Sequence, residues 1–352
     1  MGSHDDRCGT GTGQVRLGLL GLAWLVCGLA GCWRASDREV VVYSALDAEF
    51  AGPILEQYAR THGVDVRPNF DVESTKTVGL VTRILQERNH PRCDVFWNNE
   101  ILHTLRLERH GLLAAYASPV AAEFPANYRS PDGYWHGLAA RARVLVVNTQ
   151  LVEDAARPES IEDLVDPRWQ GQVAIAKPLF GTTATHASVL FAYWGDTRAQ
   201  EFFRQVKRNA QVLSGNKQVA LAVARGEAAF GLTDTDDAMV EIDAGQPVAI
   251  VYPDQQEGGL GTLFIPNTVA IIAGGPHAEQ ARALVDYVLS AAVETQLAQG
   301  PSAQFPVNPR VTVQSRAAAA GPVRWMEADF AAAAERWETA AAFLRDLFAA
   351  VD

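Results

Sequence analysis

The sequence predicts an α/β protein of two lobes, each a parallel-rich sheet with flanking helices, joined by two mid-chain crossovers into a clamshell. Three observations carry that expectation. Residues 40–97 alternate strand, helix, strand, helix, strand at a spacing that lets helices cover the faces of a parallel sheet. A second alternation runs from about residue 141 to 264. The apolar run at 264–272 is then interrupted by Pro266, as at a bend or crossover. The expected lobes are 39–140 plus 265–310 and 141–264 plus 311–352, following a separate segment over 1–31. At 352 residues the chain is long enough for about two domains.

The elements follow in order. Val40 to Tyr43 is a β-branched run, read as a buried strand. Asp47 can cap the next helix, in which Phe50, Ile54, Leu55 and Tyr58 recur at helical spacing until Gly63. Val64 to Val66 alternates as a second strand. Ser74 or Thr75 opens a helix with Val78, Val81, Ile84 and Leu85 on one face, and Cys93 to Trp97 is a third strand. Prolines 119, 125 and 131 break the pattern before it resumes at 143–147. Strands are then expected at 173–175, 228–231 and 248–252, with helices around 185–194 and 198–209. Helices at 276–290 and 291–299 follow. Pro322 opens an Ala-rich stretch with Phe330, Trp337, Phe343 and Leu347 as its packing face, a closing helix.

Composition excludes several classes. With 48% hydrophobic and 20% charged residues the chain is a globular mixture. Thirty Lys plus Arg against 41 Asp plus Glu leave a formal charge of −11, which gives no electrostatic basis for holding a phosphate backbone. Nucleic acid is therefore not an expected partner. Residues 17–31 carry no charge but are too short to span a bilayer, which needs roughly 20 apolar residues. They suit the hydrophobic region of a secretory signal. Leu29, Ala30, Gly31 and Cys32 resemble the lipobox of bacterial lipoproteins, which implies cleavage before Cys32 and lipidation of that cysteine. The preceding Arg7 and Arg16 are offset by Asp5 and Asp6, a poor fit to a signal's basic start. If Cys8 and Cys27 leave with the signal and Cys32 is acylated, Cys93 has no disulfide partner.

Candidate binding residues cluster where strands end, since ligands of open α/β sheets lie at the carboxyl ends of strands. Tyr43, Ser44 and Ala45 follow the first strand; Asn98, Asn99 and Glu100 follow the third. Gly181, Thr182 and Thr183 open a helix, and Ser74 and Thr75 open another. Such ends supply free N–H and O–H donors to an anion, or are ordinary caps. Arg141 and Arg143 lie two apart on a strand and share a face, able to grip an oxyanion or to pair with an aspartate. Asp234, Asp236 and Asp237 offer carboxylates to a hard cation or an ammonium, or merely favour a helix N-terminus. His186, Trp135, Phe180 and Tyr252 are readable either as ligand contacts or as packing.

Seven segments together resemble the bacterial ABC-importer periplasmic solute-binding proteins of the ferric-iron-binding type, over about 41–306. They are VYSALD (42–47), ESTKT (73–77), CDVFWNNE (93–100), YWHGLAARARVLVVN (134–148), PLFGTTATH (178–186), ARGEAAFGLTDTDDA (224–238) and IPNTVAII (265–272). The resemblance implies the type II two-lobe fold, closure on a ligand, delivery to a membrane permease with its ATPase, and no catalysis or cofactor. It also implies an extracytoplasmic, membrane-anchored monomer. Ferric-binding relatives grip the metal with adjacent tyrosines where this chain has Asp236 and Asp237, and no Tyr-Tyr pair occurs in it. Tyr43 is left as the one phenol ligand or as a strand aromatic. The threonine-rich helix ends and arginines want negative charge, whereas the aspartates want positive. A metal cation with a companion oxyanion satisfies both, and so does an aminophosphonate, whose binding proteins also resemble this family.

Two other classes compete. A ligand-sensing receptor subunit would use the same clamshell. For a periplasmic enzyme the sequence offers no G-x-S-x-G elbow, H-E-x-x-H helix or P-loop, its eight histidines are scattered without metal-ligand spacing, and Cys93 sits in an expected buried strand. Adjacent Asp236 and Asp237 are also poorly placed to flank a bond.

Overall fold

The computed structural model describes residues 38–71 and 77–349, so the expected signal, Cys32, Ser74 and Thr75 lie outside the described residues. The chain opens with β1 (Glu39–Ser44), α1 (Ala48–His62), β2 (Asp65–Phe70), α2 (Val78–Gln86), β3 (Val95–Asn98), α3 (Leu102–Arg109) and the short β4 (Leu113–Ala114). β1 runs parallel to both β2 and β3, as the alternation predicts. α1 ends where Gly63 adopts φ 64°, a left-handed stop that glycine makes without a Cβ clash.

The strand expected at 143–147 is the second half of a longer one, β5 (His136–Asn148). It is followed by β6 (Val173–Ala176), α4 (Gly181–Trp194), α5 (Asp196–Asn209), β7 (Ala210–Leu213), α6 (Asn216–Ala224), β8 (Phe230–Asp234), α7 (Thr235–Asp243) and β9 (Val248–Val251). Then come β10 (Phe264–Ile272), α8 (Ala278–Val288), α9 (Ala291–Gln299) and α10 (Phe330–Ala349). One sheet results, in the order β2-β1-β3-β10-β5-β8-β6-β7, with β4 on β10 and β9 on β5. β5 changes partner midway. Residues 136–142 pair antiparallel with β10, and residues 143–147 with β8. Arg141 and Arg143 therefore sit at the passage from one half of the sheet to the other.

The closing helix departs from expectation. Residues 322–329 are not helical, and α10 starts at Phe330. Its buried face is Ala333, Ala334, Trp337, Ala340, Ala341, Leu344 and Phe348, so Phe343 and Leu347 flank it rather than lead it. α10 packs on α3 as well as on α4 and α5.

Close packing constrains the second half. A Cβ on Gly231, in the middle of β8, would lie 2.5 Å from Val219 Cγ1 and 2.7 Å from the backbone oxygen of Ala174. The Ala174 carbonyl belongs to β6 and cannot yield freely. Gly231→Ala is expected to cost about 1–3 kcal/mol, read as a lower urea midpoint at unchanged slope. A midpoint equal to wild type would show that β6 and β8 can part.

Candidate functional site

Three helices aim their N-termini at one crevice. α4 starts after Phe180, α6 after Gly215 and α7 after Asp234, and none of the three N-cap side chains caps its own helix. Each end carries about half a positive charge; α4 and α6 present their first N–H groups to the crevice, whereas at α7 the Asp237 N–H donates to Asp236 Oδ1 at 3.2 Å. Thr182, Thr183, Asn216 and Asp234 stand at these ends and bond to one another. Thr182 Oγ1 donates to Asp234 Oδ2, Asn216 Nδ2 reaches Asp234 Oδ2 at 3.0 Å, and Thr183 Oγ1 donates to Asn216 Oδ1 at 2.9 Å. Arg143 passes through the group from β5. Its Nη1 lies 2.7 Å from Asp234 Oδ1, and its Nη2 donates to Thr183 Oγ1 at 3.2 Å.

Arg141, one pleat away on the same face, pairs through Nη1 with Asp236 Oδ2 at 3.3 Å and donates through Nη2 to Asn267 Oδ1 at 3.2 Å. Both guanidiniums and the carboxyls of Asp234 and Asp236 are buried. Burial alone would pull the Arg141 guanidinium down, but Asp236, Asp234, Asp47 and Asp237 hold it above its ordinary value. Burial pushes the Asp234 carboxyl up, and Arg143 and Arg141 outweigh this and hold it below the usual range. One oxygen from each of Asp234, Asp236 and Asp237 lies within 4.8 Å of the others, close enough to share one cation.

The first-half strands supply the opposite wall. Glu100, fully buried, accepts from Thr185 Oγ1 of α4 at 2.7 Å, from Asn98 Nδ2 at 2.8 Å and from the His103 N–H at 3.0 Å. Burial pushes its carboxyl up, yet His103 and the hydrogen bonds from Thr185 and Asn98 leave it below the ordinary value. Thr77 Oγ1 donates to Asn99 Oδ1 at 2.7 Å. Glu100 therefore meets α4 directly and Asn98 only through Glu100, while Ser44 is turned to the Leu46 carbonyl and the Ala45 N–H to the Trp97 carbonyl.

The structure corrects one candidate outright. The Tyr43 hydroxyl donates to Glu87 at 3.0 Å, beyond the end of α2, because strand alternation turns it to the face opposite Ser44. It does not reach the aspartates and is not their co-ligand. Trp135 donates to Glu108 and Tyr252 to the Ala317 carbonyl, so both serve packing. His186 is buried, and burial together with Arg143 brings it down to about 3, so it is neutral. Asn216 joins the site unannounced; Thr185 and Thr77 belong to the PLFGTTATH and ESTKT segments singled out above, and Asp47, expected to cap α1, makes no side-chain cap there and acts on the Arg141 charge. For Asn216 the signal was present: Ser214-Gly215-Asn216 ahead of Val219, Ala220 and Val223 repeats the pattern of glycine and polar residues before an apolar helix.

A cavity of about 20 Å³ between α4 and α6, lined by Asn99, Lys177, Thr182, Thr183 and Asn216, leaves room for a water-sized group. A wider groove of about 730 Å³ lies elsewhere, between Tyr128, Trp135, Phe264 and Trp325, and none of the crevice residues lines it.

A sheet with two crossing strands and helix ends converging on a polar crevice defines a binding protein of the type II periplasmic fold. The chain belongs to the family described as bacterial extracellular solute-binding protein, whose model matches residues 103–334. It is 23% identical over 259 residues to the Fe(3+)-binding periplasmic protein of Serratia marcescens, covering 72% of this chain and 74% of that one. It is 22% identical over 233 residues to a putative 2-aminoethylphosphonate-binding periplasmic protein of Salmonella typhimurium, covering 62% and 64%. The structure of iron-bound HitA from Pseudomonas aeruginosa superposes with a TM-score of 0.78 at 21% identity, over 88% of this chain and 99% of that one. Among the described residues no helix is long and apolar enough to cross a membrane.

Proposed function

We propose that this protein is the extracytoplasmic, non-catalytic capture subunit of an ABC importer, anchored through Cys32, with a cargo that joins a positive centre to an oxyanion. One observation carries this reading: the buried Asp234 and Asp236 and the half-buried Asp237 stand directly beside uncapped helix ends and two guanidiniums. The first cargo of that description is ferric ion with a companion oxyanion, the carboxylates taking the metal and the threonine turn of α4 the anion. The iron-binding relatives support it. The second is an aminophosphonate, favoured by the ion pairs of Asp234 with Arg143 and Asp236 with Arg141, which leave an ammonium easier to seat than a trivalent cation. The lobes, 39–140 plus 265–310 and 141–264 plus 311–352, part to admit the cargo and close upon it, since the present cavity is too small for an organic solute to enter unaided.

The test is a thermal-shift series on the mature protein with ferric ion plus phosphate, ferric ion alone, phosphate alone and 2-aminoethylphosphonate. Ferric ion with phosphate is expected to raise Tm more than either component alone. A response to 2-aminoethylphosphonate only would select the second cargo. Asp236→Ala combined with Asp237→Ala is expected to abolish the response in either case. An undiminished response in that variant would remove the aspartates from the site.

A further inference from the structure

Both crossing strands lose their regularity at the same place. The pairing of β5 with β10 slips between Pro266 and Asn267: Pro266 faces Ala140 and Asn267 faces Leu138, which leaves Ala139 as the extra residue of a bulge. Ala139 has φ 33°, a conformation that an L-residue keeps only when its surroundings impose it. Pro266 lends no N–H to the ladder there. The imposing groups are two buried side chains. Glu294 of α9 accepts the Ala139 N–H at 2.9 Å and, through its other oxygen, the N–H groups of Val307 and Asn308. Asn267 donates through Nδ2 to the Ala139 carbonyl and to Gln304 Oε1, while its Oδ1 accepts from Arg141.

We propose that Asn267 is a positioning residue that couples the crevice to a pivot at Ala139. The side-chain amide is planar, so its two ends move as one body. Oδ1 is held by Arg141, whose other nitrogen lies on Asp236; Nδ2 holds the carbonyl of the strained residue. Any displacement of Arg141, such as a cargo competing for Asp236, shifts Nδ2 against Ala139. Release of Nδ2 lets the bulge relax toward ordinary β geometry, which changes the angle at which β5 runs from one half of the sheet to the other. The inference rests on the reading of lobe closure given above, but it names the pivot and its link to the site.

Hydrogen exchange on the ligand-free full-length chain tests it, so failure of either cargo assignment leaves the result interpretable. Asn267→Asp keeps an acceptor for Arg141 and removes the donor to Ala139 and Gln304. Exchange in peptides covering 137–142 and 264–269 is expected to rise about tenfold, with other sheet peptides unchanged. Asp236→Asn, a change made in the crevice, is expected to raise exchange in the same two peptides. Pivot peptides at wild-type rates in Asp236→Asn would overturn the coupling, and so would a uniform rise across the sheet. If Asn267→Asp does not fold, Gln304→Leu removes one acceptor of the same amide and must give the same localised pattern at smaller amplitude; no change there overturns the proposal equally.

Discussion

Asp234→Ala is expected to destabilise the protein by about 3–5 kcal/mol, because it leaves the Arg143 guanidinium buried without its counter-charge. The loss exceeds that of a surface ion pair because both partners are dry. Three further groups, Thr182, Asn216 and Thr183, are built around the pair and lose their arrangement with it. Arg143→Met in the same background should recover most of the loss, since an apolar side chain of similar length carries no charge to strand. Equilibrium urea unfolding of the two single variants and the double variant measures this directly. If the double variant is as unstable as Asp234→Ala alone, the cost lies in the hydrogen-bonded cluster and not in the uncompensated charge. The pH dependence has a definite sign. The folded-state carboxyl of Asp234 lies below its unfolded value, so its contribution is complete above the ordinary aspartate range and is lost as pH falls below it. The gap in stability between wild type and Asp234→Ala should therefore be constant at neutral pH and narrow only under acid conditions.

Much of this arrangement was legible in the sequence, and the limits of legibility have physical reasons. The first strands read well because Val40 to Tyr43 and Val95 to Trp97 are apolar runs, and a buried parallel strand has that composition. Arg141 and Arg143 were placed on one face by strand periodicity alone, and both do reach the aspartates. The sequence left open whether the arginines grip ligand or pair with carboxylates; in the ligand-free fold they pair. Tyr43 went the other way because a position at the end of a strand does not say which face the side chain takes until the pairing is known. β7 was missed since Ala210 to Leu213 is short and half-buried, and α6 because its alanines dilute the apolar period. The link through Asn267 could not be read at all. It depends on a one-residue slip between strands more than a hundred residues apart.

Trp337→Ala is expected to cost about 3–5 kcal/mol, and Phe343→Ala distinctly less. Both were assigned to one packing face of the closing helix, but the helix is rotated so that alanines carry much of the contact. Ala333, Ala334, Ala340 and Ala341 bring the α10 backbone close to its neighbours, and Trp337 fills the space toward α3, edge-on to His103 with ring centroids 5.0 Å apart. Phe343 remains half-exposed beside Phe191 and Arg204. The buried stripe also divides along its length. Ala333, Ala334, Trp337 and Ala341 join the apolar cluster that includes Phe96, Leu102 and Leu105, whereas Ala340, Leu344 and Phe348 join the one built on Leu145, Phe191 and Phe230. A single helix therefore contributes to the cores of both halves, and a cavity at either end should be felt by the whole molecule. Leu344→Ala, at the second core, is expected to cost about 2–5 kcal/mol and to shift the same transition. Unfolding of each variant, followed by far-ultraviolet circular dichroism and by tryptophan fluorescence, should give one coincident midpoint. Two separated midpoints in Trp337→Ala would mean that the halves are stabilised independently and that α10 merely lies across them.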